Sequence, residues 1–111
     1  MILTEDGTVF ACGENMLGQI GLGHTNNRNT FTAVAPLPKG KVAKEVVACG
    51  NHTMILAEDN TVLACGNNDK GQLGLNDVEK RNTFTIVSSL TGVKVAKVIA
   101  GSEHTIICLL Y

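Results

Sequence analysis

At 111 residues, 44% hydrophobic and 17% charged, the chain has the make-up of one folded domain or of a piece of a larger one, not of a disordered tail. A formal charge of -1, a pI near 6.3 and basic residues never more than two adjacent (Lys80, Arg81) supply no field for a nucleic-acid backbone or an anionic membrane surface. No apolar run approaches the roughly 20 residues needed to span a bilayer, so neither nucleic acid nor membrane is expected as a direct partner.

In chain order the elements read as all-β. MILTEDGTVFACG opens with two apolar runs around Asp6-Gly7, a pair suited to a two-residue hairpin turn. GENMLGQIGLG (13–23) follows as a glycine-rich loop, and FTAV (31–34) is a short strand candidate. KEVVACG (44–50) reads as a longer strand, and HTMILAEDNTVLACG as a second hairpin around Asp59-Asn60. FTIV (84–87), KVIAG (97–101) and the closing HTIICLLY repeat the series. No segment sustains an apolar period of 3.6 residues, so no long helix is expected.

The chain is two copies of one unit. MILTEDGTVFACGENMLGQIGL (1–22) aligns without gaps to MILAEDNTVLACGNNDKGQLGL (54–75), about fifteen of twenty-two positions being identical at a period of 53. RNTFT recurs at 28–32 and 81–85, KVAK at 41–44 and 94–97, and VVACGNHT aligns to VIAGSEHT at a period of 52. The repeats therefore divide as 1–53, 54–105 and the start of a third at 106–111. One hairpin and two further strands per unit make a four-stranded sheet with two apolar faces, which neighbouring units must cover.

DGTVFACGENMLGQIGLG, a variable polar stretch and then VVACGNHT are similar to the repeat of the regulator of chromosome condensation family, which runs DG-x-V-aromatic-x-W-G-x-N-x-x-G-Q-L-G-x-G and closes on G-x-x-H-T. The resemblance covers essentially the whole chain, twice. It implies β-propeller blades: two four-stranded antiparallel repeats plus a surplus C-terminal strand, an incomplete propeller on its own. The motif residues are Gly13, Asn15, Gly18, Gln19, Gly21 and His52, then Gly66, Asn68, Gly71, Gln72, Gly74 and His104. Two features depart from the pattern. The Trp position holds Cys12 and Cys65, and Gly50 lies two residues before His52 where Gly101 lies three before His104.

Several tempting sites have plainer structural readings. A phosphate-binding loop needs Lys and Ser or Thr after its second glycine, with a helix behind it. Here Gly18-Gln19-Ile20 and Gly71-Gln72-Leu73 stand instead, so the loop reads as a bend. His52 and His104 occupy equivalent places in successive units, which favours hydrogen bonding to neighbouring loops over a shared metal. Glu5, Asp6, Glu58 and Asp59 fall one hairpin turn per unit, not opposite one another across a site. Cys12, Cys49, Cys65 and Cys108 each lie in an apolar run without metal-ligand spacing and read as reduced, buried thiols of a reducing compartment. No catalytic residue, cofactor or metal is expected.

Recognition is better sought where the copies differ. Glu14, Met16 and Leu17 in one loop face Asn67, Asp69 and Lys70 in the other, and His24–Asn27 differ from Asp77–Lys80, with His24 expected exposed. Drift at exposed positions would leave the same differences. The chain is expected to be a non-enzymatic protein-binding scaffold, intracellular, cytoplasmic or nuclear. The second function, implied by the resemblance, is guanine nucleotide exchange on a Ran-like small GTPase as part of a complete propeller. The surplus apolar strand predicts self-association, three or four chains giving six or eight blades, or incorporation into a larger propeller.

Overall fold

The apolar runs become strands, and each strand pairs with its neighbour in the chain. The computed structural model describes residues 1–109, with the side chains of residues 49, 108 and 109 outside the description. Strands β1 (Ile2–Leu3), β2 (Val9–Gly13) and β3 (Arg28–Ala33) form a three-stranded antiparallel sheet. Strands β4 (Ala43–Cys49), β5 (His52–Ala57), β6 (Val62–Gly66) and β7 (Arg81–Ile86) form a four-stranded one, and β8 (Val95–Ala100) pairs with β9 (Thr105–Leu109). The described residues contain no α-helix, only two short 3₁₀ turns at Pro38–Gly40 and Ser88–Leu90.

The complete sheet is thus assembled across the boundary at residue 53. Its first strand belongs to one sequence copy, and nearly all of the other three belong to the next. Strands β3 and β7 also begin three residues ahead of the FTAV and FTIV runs. A bulge after Ala11 and Ala64 lets the ladder extend to Gly13↔Arg28 and Gly66↔Arg81.

The hairpin turns differ from the two-residue form expected. Thr4 N–H donates to Thr8 O at 2.9 Å and Gly7 N–H to Thr4 O at 3.0 Å, which makes a three-residue loop, Glu5-Asp6-Gly7. Ala57 and Asn60 make the equivalent bonds around Glu58-Asp59-Asn60, at 2.8 and 2.9 Å. Only the third residue of each loop is left-handed (Gly7 at φ 85°, Asn60 at φ 68°), so the aspartates are freed for another task. Asp6 and Asp59 accept the N–H of Thr8 and Thr61, at 3.1 and 3.0 Å. Asp59 also pairs with Lys41, and chiefly for that reason its carboxyl titrates at about 2.

Strands β5 and β6 are buried along their whole length. Their side chains alternate between two cores, as the two-residue period of a strand requires. Met54, Leu56, Val62 and Ala64 pack toward β8, with Leu73, Val87, Val95 and Val98. Ile55, Ala57, Leu63 and Cys65 pack the other way, with Val9, Ala43 and Phe84. A sheet covered on both faces reads in sequence as a continuous apolar run, which is why MILA and VLAC show no polar alternation.

The repeat supplies its own control for this packing. Phe84 and Phe31 hold the same place in RNTFT, yet Phe84 is 4% exposed between sheets and Phe31 is 53% exposed on β3. Phe84→Ala is expected to cost about 3–5 kcal/mol and Phe31→Ala less than about 1 kcal/mol, measured by urea unfolding of the dilute protein.

Candidate functional site

Each glycine-rich loop is built around one buried asparagine. Asn15 Oδ1 accepts the Ile20 N–H at 3.1 Å, while its Nδ2 donates to His24 O and Asn26 O, both at 2.9 Å. Asn68 repeats this: Oδ1 accepts Leu73 N–H at 3.1 Å, and Nδ2 donates to Asp77 O at 3.1 Å and Glu79 O at 2.9 Å. Both asparagines are fully buried. Two consecutive turns follow each, Gly18 N–H to Asn15 O and Gly21 N–H to Gly18 O, then Gly71 to Asn68 and Gly74 to Gly71, at 3.0–3.1 Å. The loop is a pair of turns clamped by a carboxamide.

The glutamine ties tip to base. Gln19 Oε1 accepts Leu17 N–H at 3.0 Å, and Gln72 Oε1 accepts Lys70 N–H at 2.9 Å. The backbone carbonyls of the same residues face the next unit. Gln19 O accepts from Thr53 Oγ1 and Gln72 O from Thr105 Oγ1, each at 2.7 Å. Cys65 Sγ also approaches Gln19 O, at 3.6 Å.

His52 completes the joint. Thr105 Oγ1 donates its O–H to Gln72 O, so at 3.1 Å it accepts from His52 Nε2–H, and Nδ1 carries the lone pair. Nδ1 has no partner among the described residues. Burial holds the His52 pKa below its ordinary value. His104 itself is exposed, its ring packed over Gly101, where a Cβ would lie 2.2 Å from the imidazole.

The candidate contact residues fall into two groups. Glu14, Met16, Asp69 and Lys70 are exposed, Met16 by 65%, whereas Leu17 and Asn67 are half-buried. Asn67 and Asp69 are further engaged with each other, Nδ2 to Oδ1 at 3.1 Å. His24, expected exposed, is half-buried, because it closes the first loop as Asp77 closes the second. Asp77 receives Glu79 N–H at 3.0 Å on one oxygen and Arg81 at 2.8 Å on the other, the arginine being the main reason its pKa is lowered. His24 faces Asn26 N–H at 3.1 Å and Arg28 at 3.0 Å with its two ring nitrogens. A neutral imidazole has one acceptor nitrogen and cannot satisfy both donors, so the first loop is the less well closed.

Cys65 is buried and its thiol pushed far up by that burial, which removes it as a nucleophile. Cys12 is half-buried, against expectation, and the Cys49 and Cys108 side chains lie outside the described residues. Among the described residues no three His, Cys, Asp or Glu side chains gather as a metal site, and no helix is long and apolar enough to cross a membrane.

The model of the regulator of chromosome condensation (RCC1) repeat matches residues 6–56 and 59–108, and a second model of that description matches 44–72. The chain belongs to the RCC1 repeat family. It is 40% identical over 104 residues to the human X-linked retinitis pigmentosa GTPase regulator, covering 92% of this chain and 10% of that protein. It is 39% identical over 106 residues to the bovine secretion-regulating guanine nucleotide exchange factor, covering 95% and 22%. The human probable E3 ubiquitin-protein ligase HERC4 is 31% identical over 105 residues, covering 95% and 10%. Human WBSCR16 superposes with a TM-score of 0.85 at 26% identity, and yeast RCC1 (Prp20) bound to Kap60 with 0.78 at 25%. Each superposition covers 96% of this chain and 27% of the other. The fold is accordingly that of β-propeller blades, and the chain spans a fraction of every relative named.

Two outcomes test the joint and the clamp. Asn68→Ala leaves the Leu73 N–H and the Asp77 carbonyl without their side-chain partner, while Glu79 O keeps Arg81, and is expected to cost at least about 2 kcal/mol by chemical denaturation. Burial lowers the His52 pKa in the fold, so below pH 6.5 the unfolded chain binds a proton more readily than the folded chain. Its contribution to stability is complete above that pH and declines as pH falls toward the lowered folded value. The slope is at most about 1.4 kcal/mol per pH unit. Thermal unfolding from pH 8 to 5 checks this, with His52→Gln, which keeps the donor toward Thr105, removing that part of the slope.

Proposed function

We propose that this chain is a non-enzymatic protein-binding scaffold whose partner lies across the tips of successive RCC1 loops. The observation that carries this reading is the repetition of one hydrogen-bonded frame with different exposed side chains on it. Glu14 and Met16 ride on the Asn15 clamp, and Asp69 and Lys70 on the Asn68 clamp. A frame fixed before binding spares the partner the cost of ordering a loop, and an exposed Met on such a frame suits an apolar pocket. Yeast RCC1 in complex with Kap60 shares the fold and supports a protein as the ligand class. The scaffold would act inside the cell, in nucleus or cytoplasm, alone by self-association or within a larger propeller.

A second reading is guanine nucleotide exchange on a Ran-like small GTPase. Its support is the 39% identity to a secretion-regulating exchange factor across 95% of this chain. Exchange would need no bond chemistry here, only tighter binding to the nucleotide-free GTPase than to the loaded one.

One experiment separates the two readings. The chain is titrated into a panel of small GTPases loaded with fluorescent GDP, reading binding by anisotropy and nucleotide loss by fluorescence decay. Binding without faster GDP release, weakened about tenfold by Met16→Asp at unchanged melting temperature, is the scaffold outcome. Accelerated release is the exchange outcome. Equal binding by the Met16→Asp variant removes the first loop from the interface.

A further inference from the structure

The two loops are closed by different side chains at the same place, and one of them is short of an acceptor. In the second loop the Asp77 carboxylate gathers donors on both oxygens. Oδ1 accepts from Asn68 Nδ2 at 2.9 Å and from Glu79 N–H at 3.0 Å, and Oδ2 accepts from Arg81 at 2.8 Å. In the first loop the His24 imidazole stands in that place. The Asn26 N–H faces its Nδ1 at 3.1 Å, with Asn15 Nδ2 at 3.4 Å, and the Arg28 guanidinium faces its Nε2 at 3.0 Å. A carboxylate accepts at both of its oxygens, whereas a neutral imidazole accepts at one nitrogen.

The donors on the Nδ1 side are a backbone amide and a buried carboxamide, and neither can turn away. Arg28 is a long, half-buried side chain that can. Nδ1 therefore keeps the lone pair and Nε2 carries the hydrogen. The Nε2–H and the guanidinium then stand 3.0 Å apart as two donors, one of them a cation, with no acceptor between them. Among the described residues no carboxylate pairs with Arg28, the ion pairs being Lys41–Asp59 and Arg81–Asp77. The guanidinium keeps one bond of its own, to Asn27 O at 3.2 Å.

We propose that His24 and Arg28 form a receptor for a carboxylate supplied by the protein partner, an aspartate or glutamate with one oxygen on His24 Nε2–H and the other on the Arg28 guanidinium. The contact makes between two molecules the charge-assisted pair that Asp77 and Arg81 make within one. It rests on the scaffold reading above for the source of the carboxylate and gives that partner a chemistry, an acidic side chain presented to the first loop. His24 is tied to the loop that carries Met16, its carbonyl accepting from Asn15 Nδ2 at 2.9 Å. The second loop shows that such a pair stays within reach when a neighbouring loop is seated beside it. A Cβ on Gly18 would lie 2.6 Å from Arg81 O, so the first loop packs directly on that residue. The Arg81 and Asp77 side chains are nevertheless 26% and 37% exposed.

A pair of capped peptides tests this, acetyl-Gly-Glu-Gly-amide and its Gln counterpart, titrated at constant ionic strength while the His24 ring and Arg28 guanidinium signals are followed by NMR. The Glu peptide is expected to shift both sets of signals saturably, and the Gln peptide to leave them in place. His24→Asp rebuilds in the first loop the closure that Asp77 gives the second. It should weaken peptide binding at least about tenfold, because Arg28 then has a carboxylate within its own chain. Its melting temperature should equal or exceed that of the wild type, which separates a filled receptor from a damaged loop. Arg28→Gln should lose binding as well, and it decides the matter if the aspartate alters the loop. A wild type without a saturable shift overturns the inference, as do equal shifts with the Gln peptide or undiminished binding by both variants. Met16→Ala should bind the peptide like the wild type, so failure of the loop-tip reading would leave this result unaffected.

Discussion

One buried carboxamide per unit holds the part of the molecule that lies outside the strands. A loop of about a dozen residues that runs inward between sheets leaves backbone N–H and C=O groups with no ladder to satisfy them. Each left unpaired would cost about 1–3 kcal/mol. Asparagine is suited to this task because its side chain offers an acceptor and a two-proton donor on one rigid plane. Asn15 and Asn68 use both ends, receiving the amide five residues ahead and bonding two carbonyls beyond it. Aspartate would lose the donor, and glutamine would need room that full burial does not leave.

That clamp also sets the coupling between units. Glutamine at the fourth position past the asparagine bonds the loop tip with its side chain and the next unit with its backbone carbonyl. Position in the loop and position of the following sheet are therefore set by one residue. The threonine after His52 reaches back to Gln19, and the threonine after His104 reaches back to Gln72. His52 then bonds the threonine one unit on. Each unit is joined to its neighbours by the same few polar bonds and by the same apolar faces, the near one-dimensional logic of repeat proteins.

The fold was legible because the repeat is: a 53-residue period, paired apolar runs and the N-x-x-G-Q string are enough to expect sheets stacked face to face. What escaped the sequence was phase and depth. The blade begins at β4, ahead of the His52 hairpin, because β4 closes its sheet by pairing with β5, the next strand in the chain, and composition carries no mark of that. The hairpin loops have three residues where two were expected. Asp followed by Gly or Asn serves either form, and only the hydrogen bond back to Thr4 or Ala57 decides. Leu17, a candidate contact residue, and His24, expected exposed, are both half-buried. They are drawn in by the Gln19 and Asn15 clamps, and the neutral imidazole in place of a carboxylate signals that role only once Asp77 is seen with Arg81.

On the scaffold reading proposed above, the same bonds decide what kind of recognition the loops would perform. A tip that is held from below by glutamine and from behind by asparagine has little freedom to adapt, so specificity must come from the side chains it carries. Successive units carry an apolar and acidic pair, Met16 and Glu14, and then a charged pair, Lys70 and Asp69. Their separation is fixed by the threonine–glutamine joint between sheets, not by loop conformation. A ligand that reads both tips has to span adjacent blades at that set distance, which favours a folded partner with its own rigid surface over a flexible peptide.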